Sequence, residues 1–141
     1  SNMGMRQDFR DRGQERRPAS AGRLAQAVQK GIDNQFISWA EDFGDEIKEK
    51  VTTSQIRNIY GTVKRLEMET EVDLAKVLLL KPRIQYTRAR NQGLEELADE
   101  LCLAIDAIEK GETPAEKQQR FRRFAQGFEA ILAYHRAAGG K

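Results

Sequence analysis

Two acid-free segments contain most of the residues that could do chemistry in this 141-residue chain. The first is TTSQIRNIYGTVKRL, residues 52–66, which carries three cations and no acid. Its spacing of four and then three residues puts Arg57, Gly61 and Lys64 on one face of a helix. A glycine between two cations lets another backbone approach closely, either a phosphodiester strand or a second helix. Composition alone favours the simpler alternative of an exposed basic face beside one tight helix crossing.

The second segment is KPRIQYTRAR, residues 81–90, with four cations and again no acid. Gln85, Tyr86 and Thr87 within it could supply hydrogen bonds to phosphate and ribose groups. Tyr86 could also stack on a base, although a tyrosine at the core or its rim is the commoner case. Because both segments lack acids in a chain of net charge +2, the second makes a polyanionic or acidic protein partner a stronger alternative to a solvated basic face.

No catalytic or metal-binding signature is present in the sequence. One histidine and one cysteine exclude a multi-histidine metal site and give poor prospects for zinc. No glycine-rich loop matches a phosphate-cradling motif. Cys102 lies beside an apolar stripe, which favours a buried structural thiol, and His135 is more typical of a packing residue. We therefore expect no catalytic residue, no metal site and no cofactor.

Length and composition predict one domain with a sizeable core and a heavily charged surface, since 39% of residues are hydrophobic and 33% are charged. The longest run of large apolar residues, 77–80, is too short to span a bilayer. The N-terminus lacks a secretory signal, and a lone cysteine fits a reducing compartment, so we expect a cytoplasmic protein. Residues 1–22 read as a disordered basic arm whose first two residues resemble a tag remnant. After this arm we expect a single helical-bundle domain over residues 23–138 and then a flexible tail over residues 139–141.

Apolar spacing predicts an all-α bundle of about five helices. The expected helices span residues 23–50 with a possible break at Gly31, then 53–69, 71–90, 92–110 and 114–138. Thr52 and Gln55 have the spacing of a capping box, and Thr113 precedes a proline at the first helical position. The third helix is apolar on most sides, so we expect it to be the central, most buried one, kinked or broken at Pro82.

Three blocks of sequence carry a resemblance to a known family. TSQIRNIYGTVKRL, LLLKPRIQYTRAR and FEAILAYHRAAGG, in this order and spacing, resemble the small subunit of the type III-A CRISPR effector, the Csm complex. The similarity extends over roughly residues 50–140, whereas the arm before residue 22 has no counterpart. It implies a small all-helical protein without nuclease activity of its own. Copies of such a protein stack beside the filament of backbone subunits that holds the CRISPR RNA.

The resemblance also implies partners and a binding surface. The partners are the guide RNA, the target RNA, the backbone subunit, the large subunit and further copies of the chain, with no membrane and with a homodimer possible for the isolated protein. Because a guide sequence varies, the protein must contact phosphates and 2′-hydroxyls rather than bases. The predicted RNA contacts are Lys50, Gln55, Arg57, Lys64, Lys81, Arg83, Arg88, Arg90, Arg123 and Arg136. The alternative is a protein-interaction module that self-associates through faces of opposite charge, with acids at residues 67–73 and 95–112.

Overall fold

A computed structural model describes residues 22–141, so the predicted basic arm lies outside the described residues except for Gly22. The described part of the chain forms six α-helices and no strand, which confirms the all-α prediction. The helices are α1 Arg23–Lys30, α2 Asn34–Ile47, α3 Thr53–Glu67, α4 Leu74–Arg90, α5 Glu95–Glu109 and α6 Pro114–Ala137. None of them is long and apolar enough to cross a membrane.

The predicted first helix is two helices, because the chain breaks at Gly31. Gly31 has a φ of 107°, a conformation that glycine adopts without the steric cost that other residues have. Asp33 then starts α2, where its Oδ1 accepts a hydrogen bond of 2.9 Å from the backbone N–H of Phe36. The bundle therefore has one helix more than expected, although the break itself falls where the sequence indicated.

The other helix starts agree with the capping signals. Thr52 Oγ1 accepts from the backbone N–H of Gln55 at 3.1 Å, and Gln55 Oε1 accepts from the backbone N–H of Thr52 at 3.0 Å. The capping box at the start of α3 is thus complete. Thr113 accepts from the backbone N–H of Glu116 at 3.1 Å, and Pro114 begins α6.

The long helix α6 is the centre of the packing, because α1, α2, α3 and α5 all contact it. Its Phe121, Phe124 and Phe128 are fully buried, and burial of each ring contributes on the order of 2 kcal/mol. Gly44 lets α2 cross α6 closely, since a Cβ there would lie 2.7 Å from the backbone nitrogen of His135. These contacts hold α3 in place, and α3 carries the first acid-free face.

The expectation that the third predicted helix is the most buried one is wrong. In α4 only Val77, Leu80 and Ile84 are buried, and Leu79 is 65% exposed. The most buried helix is α5 instead, which buries nine of its residues. The apolar residues of α4 therefore form two groups. One is a narrow buried stripe that packs against the core, and the other lies on the outer face of the helix. The helix runs unbroken through Pro82, which rules out a break there, whereas the kink stays a prediction.

Glu100 is a buried carboxylate on α5 that the sequence analysis did not single out. Its Oε2 accepts from the backbone N–H of Gly22 at 2.8 Å, and its Oε1 accepts from that of Leu24 at 3.2 Å. Glu100 therefore caps the start of α1 from a different helix. Burial raises the pKa of this carboxyl from 4.5 to about 7, against the opposing effect of backbone hydrogen bonds from Leu24, Gly22 and Arg23.

Candidate nucleic-acid interface

The outer face of α3 is basic and exposed, as the spacing of its residues predicts. Ile56, Ile59, Val63 and Leu66 are buried and fix the rotation of the helix against the core. Arg57 lies on the exposed side, and within residues 22–141 it forms no ion pair with an acid. Its charge is therefore available to a partner outside the described chain.

Gly61 lies between Arg57 and Lys64 on this outer face. A Cβ built there would meet only Nη1 of Arg65, on the same helix, at 3.8 Å. No other helix of the described chain packs against this glycine, so an intramolecular helix crossing does not explain it. A glycine in a helix interior is less favourable than alanine by about 1 kcal/mol. The face is thus open to close approach from outside.

A shallow groove runs between α3 and α4 beside this face. Its cavity volume is only about 10 Å³, far below that of small-ligand pockets, so it is a surface crevice. Its polar side chains can donate or accept hydrogen bonds, whereas its floor is apolar. The residues that line the groove are Asn58, Ile59, Thr62, Leu80, Arg83, Ile84 and Thr87. We call the outer face of α3 together with this groove the α3–α4 surface.

Four of the predicted RNA contacts pair with acids of the chain. The pairs are Lys50–Glu96 at 2.5 Å, Lys64–Glu67 at 3.0 Å, Lys81–Asp106 at 2.6 Å and Arg88–Asp99 at 3.4 Å. Hydrogen bonds to these carboxylates raise the pKa of all three lysines above its ordinary value. The pairs are at least partly exposed, so each is weak and its cation can turn to a phosphate at little cost.

Arg83 and Arg90, on α4, belong to a second group of predicted contacts. Arg83 lines the groove and, within the described part of the chain, has no acidic partner. Arg90 lies over the ring of Tyr86 at 5.6 Å and donates to its hydroxyl at 3.1 Å. Tyr86 itself is 63% exposed, so it is not the core or rim residue that was the commoner alternative.

The remaining predicted contacts differ in their surroundings. Gln55 is held by the capping box and donates from Nε2 to Asn91 at 3.3 Å. Arg123 donates to the backbone carbonyls of Val28 and Gln29, both at 3.1 Å, and so satisfies the C-terminal end of α1. Arg136 is exposed in the last turn of α6.

His135 is a packing residue, as the sequence indicated. It is fully buried, and its Nε2 lies 2.6 Å from the carbonyl oxygen of Val51, to which it donates. Thr53 Oγ1 donates at 3.1 Å to the carbonyl of Gly140. The C-terminal residues thus contact the start of α3 and support the helix that carries Arg57.

Thr62 and Glu100 were not among the residues that the sequence singled out. Thr62 lines the groove, but a lone threonine beside a buried stripe gives no signal of its own. Glu100 did have a signal, because it lies three residues after Leu97 and four before Ala104, both buried on the inner face of α5. An acid at such a position predicts a buried, hydrogen-bonded carboxylate.

Fold and surface define a class: a small all-helical protein with an exposed basic face on α3. No cluster of histidine, cysteine or acidic residues that could hold a metal occurs in the described chain. A family model described as Csm2 Type III-A matches residues 30–141. The chain belongs to this family, as the resemblance indicated, and is a small subunit of the type III-A CRISPR complex. Searches of the curated proteins and of the solved structures returned no match.

Proposed function

We propose that the α3–α4 surface contacts the sugar-phosphate backbone of the guide–target RNA within the Csm complex, without reading its bases. The observation that carries this proposal is the uncovered glycine Gly61 beside Arg57, a cation without an acidic partner in the described chain. At this face the positive charge of Arg57 lies beside a glycine that an RNA backbone can approach closely.

The chemistry of the groove supports the same function. The side chains of Asn58, Thr62 and Thr87 can form hydrogen bonds with ribose 2′-hydroxyls. The guanidinium group of Arg83 can donate two hydrogen bonds to one phosphate. None of these groups needs a particular base. Lys50, Lys81 and Arg88 lie toward α5 and extend the basic region when they exchange their carboxylate partners for phosphate.

The assembly role follows from the family. We propose that copies of the chain stack along the filament of backbone subunits in the prokaryotic cytoplasm, and that the chain catalyses no reaction of its own. The support for the last point is that one buried histidine and one buried cysteine are poorly placed for acid–base or nucleophilic work. Burial raises the pKa of the Cys102 thiol, which makes it a poorer nucleophile.

The test neutralises the outer face of α3 in the assembled complex. Arg57→Gln with Lys64→Gln should lower the affinity of the complex for target RNA. It should also reduce the slope of log K against log salt concentration by about 2, roughly one unit for each phosphate that the protein no longer neutralises. Target RNAs of different sequence should be affected equally, because phosphate contacts carry no sequence information.

A matched control removes two cations elsewhere. Lys30→Gln with Arg122→Gln makes the same change in net charge at exposed positions on α1 and α6. This variant should retain the wild-type salt slope. Equal slopes for both double variants would refute the proposed surface, as would a loss of affinity that depends on the target sequence.

A further inference from the structure

The outer face of α4 is apolar along its whole length and exposed to solvent. Its members follow a helical spacing of four and three residues, with one further leucine beside the stripe: Ala75, Leu78, Leu79, Pro82, Tyr86 and Ala89. Leu79 is 65% exposed and Tyr86 is 63% exposed. A stripe this wide and free of charge normally faces a core. In the described chain no helix covers it, because α4 packs with its other side against α5 and α3.

One edge of this apolar face is positively charged. Arg83 and Arg90 follow that edge, and α4 contains five cations and no acid. A second α4 packed on this face would bring like charges together, which disfavours a symmetric α4–α4 contact. The occupant must therefore combine an apolar side chain with carboxylates.

One segment of the same chain has this chemistry. Outside α4, the large hydrophobic residues exposed in residues 22–141 are Ile32 and Met68, at 36% and 76%. Met68 lies in the segment 67–73, which runs from the last residue of α3 to the start of α4 and contains four acids and no cation; we call it the 67–73 connector. Glu71 in this connector is exposed and has no ion pair within the described chain. Ile32 lies between Lys30 and Asp33, and the carboxylate of Asp33 already caps α2, so this segment does not match a basic edge.

We propose that the outer face of α4 receives the 67–73 connector of a second copy of this chain. Met68 of that copy packs against Leu79 and Tyr86, and its Glu71 lies near Arg90. Because the two surfaces are different, each copy keeps one of each free, and the contact builds an open stack rather than a closed dimer. This inference rests on the stacking of like copies in the proposed function and names the surfaces that make it.

Sedimentation velocity of the full chain without RNA tests this contact. At about 0.5 mM protein and about 50 mM salt, where charge pairing is least screened, the wild type should self-associate reversibly. Tyr86→Glu destroys the apolar face and leaves the connector intact, whereas Met68→Glu does the reverse. Both side chains are exposed, so both variants should keep wild-type circular dichroism. Each alone should associate at least tenfold more weakly than the wild type.

The decisive sample is an equal mixture of the two variants. The intact connector of the Tyr86→Glu chain fits the intact face of the Met68→Glu chain, so the mixture should form a dimer and stop there. A monomeric wild type, a mixture without dimer, or a Met68→Glu chain that associates normally would each overturn the proposal. Arg57→Gln should leave association unchanged, so a failure here is distinguishable from a failure of RNA binding.

Discussion

Adding a single methyl group at Gly61 should change the stability of the isolated protein and the RNA affinity of the complex in opposite directions. The helix α3 is continuous at Gly61, and a Cβ there would lie 3.8 Å from the nearest side-chain atom, Nη1 of Arg65, which is ordinary van der Waals contact. Gly61→Ala should therefore stabilise the isolated protein by about 0.5–1 kcal/mol, because alanine reduces the entropy of the unfolded chain. For a chain of this size that corresponds to a rise in Tm of roughly 2–4 °C.

The same substitution should weaken RNA binding by the assembled complex. If the RNA backbone lies directly on Gly61, the new methyl group displaces it, and we expect the affinity to fall about threefold or more, ~0.7 kcal/mol. Thermal unfolding followed by circular dichroism gives the first quantity, and a titration with labelled target RNA gives the second. Gly44→Ala is the contrasting variant, because its Cβ would lie 2.7 Å from a backbone atom of α6 and should destabilise the fold. A stabilised Gly61→Ala with unchanged RNA affinity would refute the close approach.

Two further predictions concern the buried contacts at α1. The folded-state pKa of Glu100, about 7, exceeds its ordinary 4.5, so its contribution to stability is fullest below pH 4.5 and is lost as pH rises through 7. Glu100→Gln should therefore reduce the difference in unfolding free energy between pH 5 and pH 8 by roughly 2–3 kcal/mol in urea titrations, and an unchanged difference would contradict the assignment. Arg123→Gln should lower the unfolding free energy by about 1 kcal/mol, because the carbonyls of Val28 and Gln29 lose their donor. No change in the urea midpoint would argue against that capping role.

Local signals in the sequence were sufficient for most of the fold. The capping box at Thr52, the proline at the start of α6 and the break at Gly31 depend on neighbouring residues alone, and each was predicted. The peripheral position of α4 was not predicted. Burial of apolar residues stabilises a core and an intermolecular interface alike, so the two have the same sequence pattern. Only packing shows that Leu79 faces solvent.

The candidate site was predictable to a similar extent. Spacing alone placed Arg57, Gly61 and Lys64 on one exposed face, which the structure confirms for the two cations. The acids that pair with Lys50, Lys81 and Arg88 all belong to α5, and the helix packing that brings them close cannot be read from one sequence. Nothing in the sequence distinguishes Arg123 from a surface cation, because the two carbonyls to which it donates belong to a distant helix.

The central claim is that the α3–α4 surface lies on the RNA backbone, and cross-linking tests it most directly. The assembled complex, bound to a target RNA with photoreactive nucleotides, would be irradiated and digested, and the cross-linked peptides identified by mass spectrometry. The account predicts cross-links in residues 53–66 and at Arg83 and Thr87, at the same residues for unrelated guide sequences. Cross-links confined to α2 or α6, or absent from this subunit while the backbone subunits react, would contradict it.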